Sequence, residues 1–133
     1  MNILLLLTPK HNIEFAYENA TLRQVLEKME YHRFSAIPII SKDGKYVGTI
    51  TEGDLLWAIK NEYDLSLKEA ENILISEIKR HRDNVPVHIN NDVSDLFDVA
   101  INQNFVPVLD DNDIFIGIVT RQDILKYFYQ KTK

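Results

Sequence analysis

The chain has 133 residues, 45% of them hydrophobic, a formal net charge of −5 and no cysteine. That size and apolar content suit one compact domain or two very small intertwined halves, and argue against disorder. The acidic balance argues against a nucleic-acid partner, which needs clustered Lys and Arg, and the missing thiols rule out disulfides, a thiolate nucleophile and a cysteine zinc site.

The opening Ile3-Leu4-Leu5-Leu6-Leu7 is apolar but lacks a basic leader, and Pro9-Lys10-His11 stops it well short of the roughly 20 residues that span a bilayer. It is expected to dock on the core of a cytoplasmic, non-membrane protein. From Thr21, apolar residues at Leu22, Val25, Leu26 and Met29 keep helical spacing, and Thr21 with Gln24 forms a capping-box pattern that marks the helix start. Phe34 to Ile40 is a short, mostly apolar run closed by Ser41-Lys42-Asp43-Gly44, so a strand and a turn are expected there, and Tyr46 to Ile50 completes a hairpin. Thr51 then opens a helix with Leu55, Leu56 and Ile59 on its inner side.

In the middle, Ser66 and Glu69 again fit a capping box, and Leu67, Ala70, Leu74 and Ile78 follow at helical spacing. A connecting helix is therefore expected over 63–80, between a first half at 1–62 and a second at 81–133. Lys79 to Asn84 is polar and reads as a solvated loop. After Pro86-Val87-His88-Ile89 the pattern restarts: Val93, Leu96, Phe97 and Ala100, extended by Ile101, make a helix, then come strands at Phe105–Leu109 and Ile114–Val119 around the turn Asp110 to Asp113, and a final helix from Thr120 to Tyr129.

The restart is a repeat. Pro38 to Ile59 aligns with Pro107 to Phe128 at a constant offset of 69, keeping Pro, Gly, Thr, Asp and Leu at Pro38/Pro107, Gly48/Gly117, Thr51/Thr120, Asp54/Asp123 and Leu56/Leu125. The helices before them are offset by 71, the difference being absorbed by two residues ahead of Pro38. Two such halves are too small to bury a core alone and are expected to pack about a pseudo-twofold axis.

A glycine inside a strand marks a bulge or a close approach. Thr three residues on, and Asp three after that at a helix start, place oxygen acceptors beside unpaired N–H groups and a positive dipole, where sugar hydroxyls or phosphate can be held. The same Thr-x-x-Asp is also a capping box worth about 1 kcal/mol. A cap alone requires neither the upstream Gly nor the Pro ten residues before it.

With Ile37-Pro38-Ile39-Ile40, the Asp-Gly turn, Tyr46-Val47-Gly48-Thr49-Ile50-Thr51-x-x-Asp54-Leu55, and a second copy over Val106-Pro107 to Ile124, nearly the whole chain resembles a tandem pair of cystathionine β-synthase (CBS) domains, a Bateman module. Leu7-Thr8-Pro9-Lys10 and Ala20-Thr21-Leu22 are similar to the lead-in of such domains. The resemblance implies an α/β (α+β) fold of two β-α-β-β-α repeats with two related clefts, and a regulatory rather than enzymatic protein. It implies no cofactor or metal. An adenosine-containing ligand such as AMP, ADP, ATP, S-adenosylmethionine or cyclic di-AMP would be the regulatory partner. It implies that Thr51 and Asp54 serve one cleft, with Ser35, Ala36 and Ile37 at the base, and that Thr120 and Asp123 serve the other, with Asn104, Phe105 and Val106. A homodimer is the usual assembly, and a protein partner would read the ligand state. The alternative is a purely structural, dimerising module.

The copies differ in charge: Glu52 follows Thr51, whereas Arg121 follows Thr120. At about 4 Å a charge pair in a partly screened setting is worth up to a few kcal/mol. The Thr120/Asp123 cleft is therefore expected to take phosphorylated ligands, with Arg80, His81, Arg82, His32 and Arg33 as further candidate phosphate contacts. His11, His32, His81 and His88 show no metal spacing. Trp57, Tyr127, Phe128 and Tyr129 are read as core or dimer contacts.

Overall fold

A computed structural model of the chain describes residues 2–32, 34–61 and 67–132. The strands and helices run β1 (Thr8–Pro9), β2 (Ala16–Tyr17), α1 (Leu22–His32), β3 (Ala36–Ile40), β4 (Tyr46–Thr51), α2 (Glu52–Asn61), α3 (Leu67–Ala70), β5 (Val87–His88), α4 (Val93–Ala100), β6 (Phe105–Leu109), β7 (Phe115–Thr120) and α5 (Arg121–Lys131), with short 3₁₀ turns between. The order β-α-β-β-α thus occurs twice, as β2-α1-β3-β4-α2 and β5-α4-β6-β7-α5, the arrangement the repeat predicts.

Each repeat owns a sheet. In the first, β2-β3-β4, β2 lies parallel to β3 with Ala16 opposite Ile39. In the second, β1-β7-β6-β5, β5 lies parallel to β6 with Val87 opposite Val108, and β6 runs antiparallel to β7. Ala16 and Val87 are 71 positions apart and Ile39 and Val108 are 69 apart, so the two offsets reappear as equivalent pairings.

The chain divides into two compact units, one of Glu14–Asp43 with Val47–Asp83, the other of the N-terminal segment through Ile13, Gly44–Tyr46 and everything from Asn84 on. The core of the first gathers Leu22, Val25 and Met29 of α1, Ile37 and Ile39 of β3, Ile50, and Leu55 and Ala58 of α2. The core of the second gathers Leu96, Val106, Val108, Val119 and Ile124, and Ile3 of the N-terminal segment is buried in it. The segment docks on a core as expected, although Leu5 is 75% exposed. Its strand β1 pairs antiparallel with β7, so the lead-in to the first repeat adds an edge to the sheet of the second.

Local signals account for the helix starts. Thr21 and Gln24 form the reciprocal box, Gln24 N–H donating to Thr21 Oγ1 at 3.2 Å and Thr21 N–H to Gln24 Oε1 at 2.9 Å. The hairpin turn at Asp110 is held by its own carboxylate, whose Oδ1 accepts from Asn112 N–H at 2.8 Å and Ile114 N–H at 2.9 Å.

Two expectations are corrected. The connecting helix stops at Ala70: Leu22 N–H donates to Ile73 O and Ile75 N–H to Ala20 O, both at 2.7 Å, so the segment after α3 bridges backbone to backbone instead of coiling on. This buries Ile75, which the expected stripe omits; of the stripe itself Ala70 and Ile78 are buried and Leu74 is 39% exposed. Ser66, the cap read for that helix, lies outside the described residues. The helix faces are also narrower than expected, since Leu56 and Ile101 point to solvent; Ala58 takes a buried place in α2, and Ala100 is buried as the stripe implies. Trp57, Phe128 and Tyr129 are likewise exposed and are not core residues.

Candidate functional site

The two β-to-α junctions carry the repeated Thr-x-x-Asp, and they start alike. Glu52 N–H donates to Ser35 O and Arg121 N–H to Asn104 O, each at 2.9 Å, so the residue ahead of each apolar strand is tied to the first turn of each helix. Asp54 N–H donates to Thr51 Oγ1 and Asp123 N–H to Thr120 Oγ1, each at 3.1 Å. Thr120 stands opposite Phe105 in the β6/β7 pair. Ser35 is thereby brought to Thr51, and Asn104 and Phe105 to Thr120. Ile37 and Val106 are fully buried with their side chains in the cores, so backbone is what they can offer a ligand, and Ala36 is half-buried.

From there the junctions part. Asp54 is 4% exposed and both its oxygens are used: Oδ2 accepts from Thr51 N–H at 3.1 Å, completing the capping box, and Oδ1 accepts from His81 N–H at 2.9 Å. The linker that supplies His81 also covers Gly48. Asp83 Oδ1 accepts from Thr49 N–H at 3.0 Å, and the Arg80 guanidinium grips the same carboxylate, Nε to Oδ1 at 2.7 Å and Nη2 to Oδ2 at 3.3 Å. A Cβ on Gly48 would lie 2.4 Å from Asp83 Oδ1 and 2.7 Å from Arg80 Nε, so the strand glycine is there to let the ion pair close on the backbone. Partial burial disfavours ionised Asp83, but the Arg80 hydrogen bond, the Thr49 N–H and the guanidinium charge together outweigh it and hold its carboxyl below the usual range. Residues 80–83 therefore strap the first repeat through Arg80, Asp83 and the His81 N–H, while Lys79, His81, Arg82 and Asp83 stay solvent-exposed as the composition suggests.

In the second repeat Gly117 is covered by the N-terminal lead-in, Thr8 O and Pro9 Cα lying 2.2 and 3.0 Å from where its Cβ would be. Pro9 and Arg80 are 71 positions apart, so the two lead-ins do equivalent work on the two glycines. The lead-in leaves the carboxylate alone. Asp123 is half-buried and its carboxylate meets no donor among the described residues. It lines a cavity of about 380 Å³ with Leu6, Leu7, Thr8, Lys126 and Tyr127.

The charged candidates are placed differently from the reading that sequence suggests. Arg121, expected to meet phosphate, turns to the C-terminus of α4, where Nε donates to Ala100 O at 3.0 Å and Nη2 to Ile101 O at 3.3 Å. It donates to carbonyls at a helix C-terminus, where a cation is favoured. His32 lies 3.1 Å from Glu14 and stacks on Phe34, Arg80 is held by Asp83, Arg82 is exposed, and Arg33 lies outside the described residues. Sequence reasoning passed over Asp83, whose role depends on a loop folding back 34 residues, and Lys126, although its spacing of three from Asp123 on one helix was visible. No helix among the described residues is long and apolar enough to cross a membrane.

Comparison with known proteins agrees with the repeat. The CBS domain family model matches residues 6–61 and again 75–130. An uncharacterized protein of Methanocaldococcus jannaschii is 28% identical over 115 residues, 80% of this chain and 40% of its own length, so the chain spans less than half of that relative. The cyclic di-AMP receptor B of Bacillus subtilis is 28% identical over 93 residues, covering 70% of this chain and 63% of the receptor. The solved structure of CbpB in complex with c-di-AMP superposes with a TM-score of 0.86 at 25% identity, covering 98% of this chain and 85% of that one.

Proposed function

Because the chain belongs to the CBS domain family, with two copies of the domain in tandem, we propose that it is a regulatory module whose second repeat holds an adenosine-containing ligand and whose first repeat is closed by its own strap. The observation that carries this reading is the contrast between the two aspartates. Asp54 is saturated by Thr51 and His81 N–H groups, while Asp123 presents unused acceptors to a cavity. A carboxylate that accepts no hydrogen bond from the described residues can accept from ribose hydroxyls, and Thr120, facing Phe105 and tied through Arg121 N–H to Asn104, would flank the base-proximal backbone. The ligands named for the B. subtilis receptor and for CbpB are of this class, and support it.

Binding would order α5 and the lead-in against each other and so bias the state that a partner recognises. The saturated capping box favours a structural role for the first copy, which in this reading is scaffold. The test is thermal shift against AMP, ADP, ATP, S-adenosylmethionine and cyclic di-AMP. A ligand at about 100 times its dissociation constant adds about 2.7 kcal/mol, several degrees for a domain of this size. The reading predicts a shift with at least one of them that Asp123→Asn abolishes; no shift with any of them contradicts it.

A further inference from the structure

The cavity at Asp123 has a second charged group that the repeat motif does not contain. Lys126 lies one turn further along α5, lines the same cavity and is exposed. It forms no ion pair among the described residues, with Asp123 or with any other carboxylate. Residues three apart on a helix have Cβ atoms about 5–6 Å apart, near enough to act on one small ligand and, here, not paired with each other. The equivalent position in the first repeat is Trp57, so this cation belongs to the second copy alone.

An anionic ligand in this cavity needs a cation to offset Asp123, and Lys126 is the one that lines it among the described residues. A lone carboxylate in a half-buried cavity repels phosphate, and the cation nearest in sequence, Arg121, is engaged by Ala100 O and Ile101 O. Given the adenosine-binding reading of this cavity, on which the step rests, we infer that Lys126 sets its selectivity for phosphorylated over unphosphorylated nucleosides: Asp123 accepts from the ribose hydroxyls while the Lys126 ammonium meets the phosphate. The rest of the lining, Leu5, Leu6, Leu7, Thr8, Tyr127 and Gln130, is uncharged, so Asp123 and Lys126 are the groups that discriminate ligands by charge. Because Lys126 is exposed and on a helix, its replacement by Ala leaves packing intact and keeps helix propensity.

Calorimetric titration of the full chain with AMP and with adenosine tests this. The native chain is expected to bind AMP at least about tenfold tighter than adenosine, as a hydrogen bond to a charged group allows, with an affinity for AMP that falls as salt rises. Lys126→Ala brings the two ligands to within about threefold, by weakening AMP and leaving adenosine alone, and Lys126→Arg keeps the preference. An unchanged AMP-to-adenosine ratio in Lys126→Ala overturns the assignment while leaving nucleoside binding in place. Absence of binding by both ligands in the native chain, joined by silence toward cyclic di-AMP, overturns the adenosine reading itself and this inference with it.

Discussion

The backbone N–H of His81 donates to Asp54 Oδ1 at 2.9 Å across 27 residues of sequence, and this bond, with that from Thr51 N–H to Asp54 Oδ2, separates the two junctions of the repeat. It converts a half-satisfied helix cap into a sealed one. Asp123, with the same Thr three residues before it, has no counterpart bond among the described residues.

Removal of the two aspartates should therefore cost different amounts. Asp54→Ala leaves the N–H groups of Thr51 and His81 without acceptors at a buried site, and about 2–4 kcal/mol of unfolding free energy is expected to go. Asp123→Ala removes a carboxylate that accepts no hydrogen bond from the described residues and should cost less than about 0.5 kcal/mol. Urea denaturation of the two variants measures both; equal losses would mean that the carboxylates are equivalent.

The glycines discriminate strap from lead-in. A Cβ at Gly48 meets side-chain atoms of Asp83 and Arg80, which can swing away, so Gly48→Ala should cost about 1–2 kcal/mol by undoing their pairing. At Gly117 the Cβ meets Thr8 O, a backbone atom of β1, and the antiparallel pairing of Thr8 and Pro9 with β7 must give. Gly117→Ala is expected to lose about 3 kcal/mol or more and to expose the amides of Thr8 and Lys10 to hydrogen exchange. Protection of those amides in the variant would refute the close approach.

Acid should loosen the strap. Asp83 has a folded-state pKa below its ordinary value, so its contribution is fully present above the ordinary carboxylate range near about pH 4 and is lost as pH falls through the lowered value. Hydrogen exchange at Thr49, whose N–H donates to Asp83, should quicken relative to its neighbours below that range and stay flat at neutral pH. In Asp83→Asn the acid-dependent step disappears. A Thr49 amide indifferent to pH in the native chain would show that the carboxylate does not hold the strap.

Gln103 is 7% exposed and holds the start of the second repeat, its Oε1 accepting from Val85 N–H at 2.6 Å and its Nε2 donating to Val85 O and Phe105 O, both at 3.1 Å. Gln103→Leu fills the volume but strands Val85 N–H, and about 2–3 kcal/mol of destabilisation is expected in thermal or urea unfolding. A neutral substitution would mean that water replaces the amide.

Much of this was legible beforehand because it rests on period and spacing. The repeat offsets placed both β-α-β-β-α units, and Thr21-x-x-Gln24 placed the start of α1. Illegible were contacts made by chain that has left its own repeat. Lys79 to Asn84 reads as solvated because its composition is polar, yet Asp83 and His81 bind β4 and α2 through one side chain and one backbone N–H. Leu74 and Ile78 keep helical spacing, but the 73–75 segment gains more by bonding to the backbone at Ala20 and Leu22. Next to Thr120, Arg121 reads as a phosphate ligand, yet in the fold its Nε and Nη2 donate to Ala100 O and Ile101 O at the end of α4.

The central claim, one open site in the second repeat beside a sealed one in the first, is most directly tested by the stoichiometry of nucleotide binding. Calorimetry of the native chain with AMP should give one site per chain, retained in Asp54→Asn and lost in Asp123→Asn. Two sites per chain, or binding that survives Asp123→Asn and vanishes in Asp54→Asn, would contradict it.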